Sequence, residues 1–337
     1  MFEPPTLKDI ARALGLSTST VSRALRDTYE ISAKTKKLVL EYAEKINYQP
    51  NPNALSLKER RSKSIGVVVS EVANHYFSQA ISGIESIAYD KGYHVIITQT
   101  HESYAREKIN VQHLASRSVD GLLVSLSAET EDTSHLKHLH NQGLPMVFFD
   151  RVPGDIETHK ITANNEQGAF DATALLIRSG HRKIAHLTSS PQLSISIERL
   201  RGYALALDQH GIPWRKEYVK HCIHGGMFPE ETEQAVKELM ALKDKPDAIF
   251  IAGDRLSIGC LEVLKKLNIS VPDQIAVAGF SNSDVLDLFG YPISSVRQPA
   301  FEMGEKATEM LLQLIESKYP VTDFEHRVID TELFIRK

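Results

Sequence analysis

The chain has 337 residues, 42% of them apolar and 24% charged, a net charge of −4 and two cysteines. That length and composition leave room for two or three domains with a sizeable core, and they exclude a disordered, fibrous or disulfide-stapled chain. The opening "MFEPPTLKDI" has no basic stretch before an apolar run and no run approaches the roughly 20 residues of a membrane span, so neither a secretory signal nor a membrane span is expected.

Cys222 and Cys260 share no metal-ligand spacing, which suits a reducing cytoplasm. Charge is unevenly spread. Residues 1–63 hold 12 Lys and Arg against 7 Asp and Glu, whereas the remainder holds 27 against 36. A small basic head on a larger acidic body suggests that only the head meets a polyanion.

In chain order, Thr6-Leu7-Lys8-Asp9 reads as a capping box that opens a short helix with Ile10, Ala11 and Leu14 on one face. Gly15 can stop that helix in the left-handed conformation. Ser17 then caps a second helix that buries Val21, Ala24 and Leu25. After a turn through Asp27–Glu30, Ser32 caps a third, with an apolar stripe of Leu38, Val39, Tyr42, Ala43 and Ile46. Two short helices about a glycine turn, braced by a third, predict a helix-turn-helix unit.

In such a unit the second helix enters the major groove by its N-terminal turn. "GLSTSTVSRAL" sets Thr18 and Ser19 there, with Arg23 one turn along the same face. Arginine reads guanine through two hydrogen bonds, and serine or threonine pairs with several bases or with phosphate. "TLKDIARALGLSTSTVSRAL", "ISAKTKKLVLEYAEKINYQPN" and "ALSLK" together resemble the DNA-binding headpiece of the LacI/GalR family of transcriptional regulators. The resemblance implies that Thr18, Ser19 and Arg23 read bases. It also implies that Ser17, Thr20, Ser22, Ser32, Lys34, Thr35 and Tyr48 hold the DNA backbone, which sets register.

The linker "YQPNPNALSLKERRSKS" follows. Pro50 and Pro52 end the third helix, and the segment about 52–59 is too short to be a stable helix alone. It resembles the family's hinge helix, which implies that Asn51, Ala54, Leu57 and Lys58 meet DNA and that Leu57 wedges into the minor groove.

From Ser64 the pattern changes period. "SIGVVVS", "YHVIITQ", "DGLLVSL" and "LPMVFFD", then "KIAHLTS", "DAIFIAG" and "QIAVAGF", are short β-branched runs separated by helical stretches. The alternation predicts two α/β halves with parallel sheets and a ligand cleft at the carboxyl ends of the strands. "VDGLLV", "SGHRKIAHL", "ERLRGYALAL", "VPDQIAVAGF" and "SSVRQPAFEMGEKA" resemble the same family's effector-binding core, whose fold is that of periplasmic sugar-binding proteins. The expected fold is therefore α/β, a helix-turn-helix headpiece (1–60) plus a two-lobed periplasmic-binding-protein-like core (62–337). Three crossings between lobes are implied, giving a first lobe of about 62–162 and 294–321 and a second of about 163–293 and 322–337.

Candidate effector contacts sit after the strands: His75, Tyr76 and Phe77, then Ser125, Asp150 and Arg151. Aromatic faces suit a sugar or a purine. The resemblance adds Arg199 of "ERLRGY" as a fork onto ligand oxygens. Asp254 reads either as a helix cap or as a ligand contact. Ser281 and Asn282 stand where many members carry an aspartate, and Gly253 where a polar side chain often lines the pocket.

No nucleophile elbow, zinc-protease, P-loop or dinucleotide-binding pattern occurs. An enzyme is not expected, and no cofactor or metal is called for; His135, His138 and His140 read as a solvated helix face. A transport binding protein would need a signal peptide and no basic head. The reading is thus a cytoplasmic homodimeric repressor with two partners besides itself, near-palindromic double-stranded operator DNA and a small-molecule effector, a sugar or related metabolite.

Overall fold

Thr6 donates its backbone N–H to Asp9 at 2.9 Å and its hydroxyl at 2.6 Å, and these bonds open the first helix of the computed structural model, which describes residues 5–26, 30–48, 61–283 and 293–336. The chain divides into two units, Met1–Ser62 and Lys63–Lys337. In the first, α1 (Leu7–Leu14) stops at Gly15, whose φ of 62° is the left-handed conformation that glycine adopts without steric cost. Ser17 and Ser32 cap α2 (Thr18–Leu25) and α3 (Ala33–Lys45). Ile10, Ala11, Val21, Ala24, Val39 and Ala43 close the core between the three. Leu38, expected in that stripe, is 47% exposed, because the face of α3 turned to α1 and α2 is the one carrying Val39 and Ala43.

The second unit begins with β1 (Ser64–Val69), α4 (His75–Asp90), β2 (His94–Gln99), α5 (Tyr104–Ser116), β3 (Gly121–Val124), α6 (Ser134–Asn141), β4 (Met146–Phe149) and β5 (Lys160–Ala163). Next come α7 (Asn165–Arg178), β6 (Ile184–Thr188), α8 (Ser194–Gln209), β7 (Val219–His221), α9 (Pro229–Ala241), β8 (Ala248–Ile251), α10 (Asp254–Lys266) and β9 (Ala276–Phe280). β10 (Ser294–Arg297), α11 (Ala300–Glu316), β11 (His326–Ile329) and β12 (Glu332–Phe334) complete it. Among the described residues no helix is long and apolar enough to cross a membrane.

These strands form two six-stranded sheets, β11-β5-β4-β3-β1-β2 and β12-β10-β9-β8-β6-β7, parallel except for β12. Nearly continuous burial of β1, β3, β4, β6, β8 and β9 reflects helices on both faces of each sheet. Strand order reverses at β1/β3 in one sheet and at β6/β8 in the other, and such switch points open a crevice beyond the strand ends.

Two segments depart from the expected crossings. Ser294–Arg297 pairs with β9 and stays in the second sheet, whereas His326–Ile329 pairs with β5 in the first. The crossing lies at Gln298-Pro299, after which α11 packs its Met303, Ala307, Met310 and Leu311 into the first lobe's core. Proline at the junction ends the strand and starts the helix, a boundary hidden within the single motif "SSVRQPAFEMGEKA".

Candidate functional site

The first unit presents α2. Thr18, Ser19 and Arg23 are exposed on it, and Arg23 Nη1 pairs with Glu30 at 2.8 Å. The Ser17 hydroxyl accepts the Thr20 N–H at 3.1 Å and lies 2.9 Å from the Thr20 hydroxyl. Ser32 and Thr35 repeat that geometry on α3 at 3.2 and 2.9 Å. Ser22 accepts from Arg26 Nη2 at 2.6 Å, Lys34 is exposed, and Tyr48 is half-buried against the core, where burial raises its phenol pKa. The hydroxyls of Ser17, Thr20, Ser32 and Thr35 thus hold helix starts whose first N–H groups suit an anion. Asn51, Ala54, Leu57 and Lys58 lie outside the described residues.

In the second unit the two switch points face one cleft. Tyr76, Phe77, Asp150 and Arg151 line it from the first sheet, with Arg199, Gly253 and Asp254 from the second and Gln298 at the crossing. Its volume is about 70 Å³, below the 300–1,000 Å³ of a usual ligand pocket. Polar contacts draw the lobes together over it: Arg255 with Glu71, Asn282 with Gln79 at 2.7 Å, Gln192 with Glu131 at 2.8 Å and His224 with Glu129 at 3.2 Å.

Arg199 is 3% exposed, its guanidinium 3.8 Å over the Phe280 ring. Nε donates to Asn165 Oδ1 at 2.9 Å and Nη1 to the Ala252 carbonyl at 2.7 Å, which aims the fork and leaves Nη2 as its open donor. Burial lowers its pKa to about 10, so it stays charged. Opposite, Asp150 is buried at a φ of 61°; desolvation raises its pKa, opposed by Arg151 and Arg199. Its hydrogen bond from Gln298 Nε2 is long, at 3.4 Å. Arg151 donates to Glu102 at 2.6 Å, and that carboxylate outweighs the desolvation that would lower the guanidinium pKa. A buried donor fork therefore faces a buried carboxylate that Arg151, Tyr76 and Gln298 also approach, and the pair suits a ligand rich in hydroxyl or N–H groups.

Other expected contacts fall elsewhere. Ser125 is buried within the sheet, its N–H extending the ladder to Val68 at 2.9 Å, and its hydroxyl has no partner. His75 is exposed at the start of α4 and hydrogen-bonds Gln79 at 3.2 Å, so it borders the cleft without lining it. Ser281 and Asn282 turn away from the cavity to hold Asp254, through the Ser281 hydroxyl and the Asn282 N–H at 3.0 Å. Asp254 is the first residue of α10 after Gly253 at the N-cap; it ties that helix to the 281–283 turn while also lining the cleft. His135 is no solvated residue: it meets the fully buried Glu107 at 3.1 Å, because α6 packs on α5.

Glu71, Glu102, Asn165 and Gln298 were not anticipated. Glu71 and Glu102 follow strands β1 and β2, so the rule that ligands meet strand ends would have pointed to them. Nothing local marks Asn165, whose role depends on Arg199, 34 residues away. Among the described residues no cluster of His, Cys, Asp and Glu is arranged to hold a metal ion.

Residues 6–51 match the family model of bacterial regulatory proteins, lacI family, and residues 173–337 that of the periplasmic binding protein-like domain. The chain is 34% identical over 334 residues, 98% of each chain, to the HTH-type transcriptional repressor PurR of Photobacterium profundum. Among solved structures it is similar to the lac repressor dimer bound to operator and an anti-inducer, at 25% identity, a TM-score of 0.80 and 99% coverage of both chains. It is also similar to the transcriptional regulator CelR in complex with cellobiose, at 28% identity and a TM-score of 0.73, covering 98% of this chain and 99% of that one.

Proposed function

This chain belongs to the lacI family of bacterial regulatory proteins, and from that membership we infer how its parts divide the work. It is a DNA-binding transcriptional repressor, not an enzyme, and a small molecule bound in its core regulates it. Thr18, Ser19 and Arg23 read base edges while the N-terminal turns of α2 and α3 hold phosphates. The protein acts in the cytoplasm as a homodimer on a near-palindromic site, whose two half-sites mirror the two-fold axis.

The observation that carries the effector site is the convergence of Arg199 and Asp150, from opposite lobes, on one cleft. A sugar or related metabolite bridging them would favour one lobe arrangement, and only such differential binding shifts operator affinity. Tyr76, Phe77, Arg151 and Asp254 complete the proposed contacts.

Fluorescence anisotropy on a duplex from the DNA upstream of the protein's own gene, with effectors drawn from a thermal-shift screen of sugars, tests the reading. Arg199→Ala is expected to leave effector-free operator affinity near normal and to weaken the effector response by about 30-fold or more, since losing one partner of a buried charged hydrogen bond costs about 2–5 kcal/mol. An unchanged response would remove Arg199 from the site.

A further inference from the structure

Just beyond β2, two consecutive residues, His101 and Glu102, hold φ angles of 49° and 62°. That left-handed conformation is costly for a residue with a side chain and persists where the surrounding structure enforces it, as at binding sites. Asp150, just beyond β4, adopts it too, at 61°. Both carboxylates are 4% exposed, and both residues line the cleft.

The two oxygens of Glu102 have different surroundings. Oε2 accepts from Arg151 Nη1 at 2.6 Å and from the Ala128 N–H at 2.8 Å. Among the described residues Oε1 accepts no hydrogen bond, although Glu102 lines the cleft. Holding Arg151 and Ala128 accounts for one oxygen only. A carboxylate is purely an acceptor, and a half-used one in a buried cleft calls for a donor that the chain itself does not supply.

We propose that Glu102 is an effector-binding, specificity-determining residue, and that with Asp150 it takes a pair of hydroxyl groups of a neutral sugar. This rests on the reading of the cleft as the effector site. Arg151 stands between the two carboxylates, 2.6 Å from Glu102 and 3.8 Å from Asp150. With Arg199 opposite, these four charges cancel, so they leave no excess for an ionic ligand to offset. Two acceptors on separate side chains require two donors at separate positions. Hydroxyl groups turn their hydrogens to each acceptor and offer lone pairs to Arg199, whereas a purine base holds its donors fixed in one plane.

The test titrates the full-length protein calorimetrically with D-ribose, D-glucose, D-galactose and D-mannose, the monodeoxy analogues of each, and adenine. Wild type is expected to bind at least one sugar and to lose about 10- to 100-fold in affinity when the hydroxyl facing Glu102 is removed, the scale of a hydrogen bond to a charged group. In Glu102→Gln the amide oxygen can keep Arg151 and the Ala128 N–H, while the amide nitrogen puts a donor where Oε1 accepted. The variant should lose about 10- to 100-fold on that sugar, yet bind the matching deoxy analogue within about 2-fold of wild type. Glu107→Gln is the control. This buried glutamate holds the same loop, through the Ser127 N–H at 2.6 Å and the Thr130 hydroxyl at 2.9 Å, without lining the cleft, and its substitution should leave the deoxy discrimination intact.

If Glu102→Gln weakens the sugar and every deoxy analogue alike, Glu102 acts only by holding Arg151 and the loop, and the proposal is overturned. Unchanged sugar affinity, binding of adenine alone or of no sugar, or the same lost discrimination in Glu107→Gln overturns it as well. Arg199→Ala and Asp150→Asn report the cleft reading separately. Where they abolish sugar binding and Glu102→Gln does not weaken it, only the assignment of Glu102 falls. Where none of the three weakens it, the sugar binds elsewhere and the cleft reading falls too.

Discussion

His186 lies in the middle of β6, between the rings of Tyr203 at 5.1 Å and Phe250 at 4.7 Å. Its Nδ1 is 3.2 Å from the Phe250 carbonyl, and its Nε2 is buried without a partner, so the neutral ring with the proton on Nδ1 is the form the site accepts. Desolvation pulls its pKa down to about 3. The folded state thus refuses a proton that the unfolded chain takes near pH 6.5, and stability falls as pH drops from about 6.5 toward 3. Urea denaturation of wild type and His186→Gln at pH 7 and pH 5 should show wild type losing about 2 kcal/mol more between the two, from the linkage of one proton. Equal losses would mean that the folded state takes the His186 proton as readily as the unfolded chain does. The strand "KIAHLTS" is legible as a buried strand, but the histidine's environment is not, since Phe250 is 64 residues away. Arg199 and Asp150 are legible because they follow recognisable motifs; Asn165 and Gln298 depend on partners that only the folded chain supplies.

At the scale of elements, α4 and α11 meet backbone to backbone. A Cβ on Gly304 would lie 2.1 Å from the Ala80 carbonyl oxygen, and one on Gly83 would lie 2.0 Å from that of Phe301. Two effects of opposite sign compete in Gly304→Ala. Alanine favours the helix by about 1 kcal/mol. The clash is with backbone, which cannot rotate aside, so the helices must separate and loosen the layer of Ala80, Ile84, Met303 and Ala307. Overpacking of this kind costs about 1–3 kcal/mol or more, so the variant should be less stable despite its better propensity, with a melting temperature lower by several degrees. A calorimetric melt at or above wild type would show that the helices slide apart freely. The helices themselves are legible from period and caps. Which lobe receives β10 and β11 is not, because strands of four residues carry too little pattern to name their neighbours.

For the whole core, polar groups reach across the cleft from one lobe to the other, and one of them is a histidine. His224 Nδ1 is 2.6 Å from Glu231 of its own lobe, its Nε2 is 3.2 Å from Glu129 of the other, and its ring packs edge-on to Phe228. Burial would lower the His224 pKa, but hydrogen bonds and charge from Glu231 and Glu129 outweigh it and the net shift is upward. Glu129 is itself held by the Tyr104 N–H at 2.9 Å, so its carboxylate is fixed in place to meet the imidazolium. Opening the lobes removes Glu129 and returns His224 toward its ordinary value. The arrangement with the lobes in contact therefore binds the proton more tightly, and its advantage is present at low pH and lost as pH rises through the raised value. Small-angle scattering of the effector-free protein should show the radius of gyration increasing from pH 6 to pH 8.5. Glu129→Gln should flatten that rise by removing the charge that only the closed state places on His224. Glu231→Gln should lower the pH of the rise without abolishing it, since Glu231 stays with His224 in both arrangements. If all three proteins show the same pH response, the lobes are held by Arg255–Glu71 and the neutral amide contacts, and His224 does not report closure.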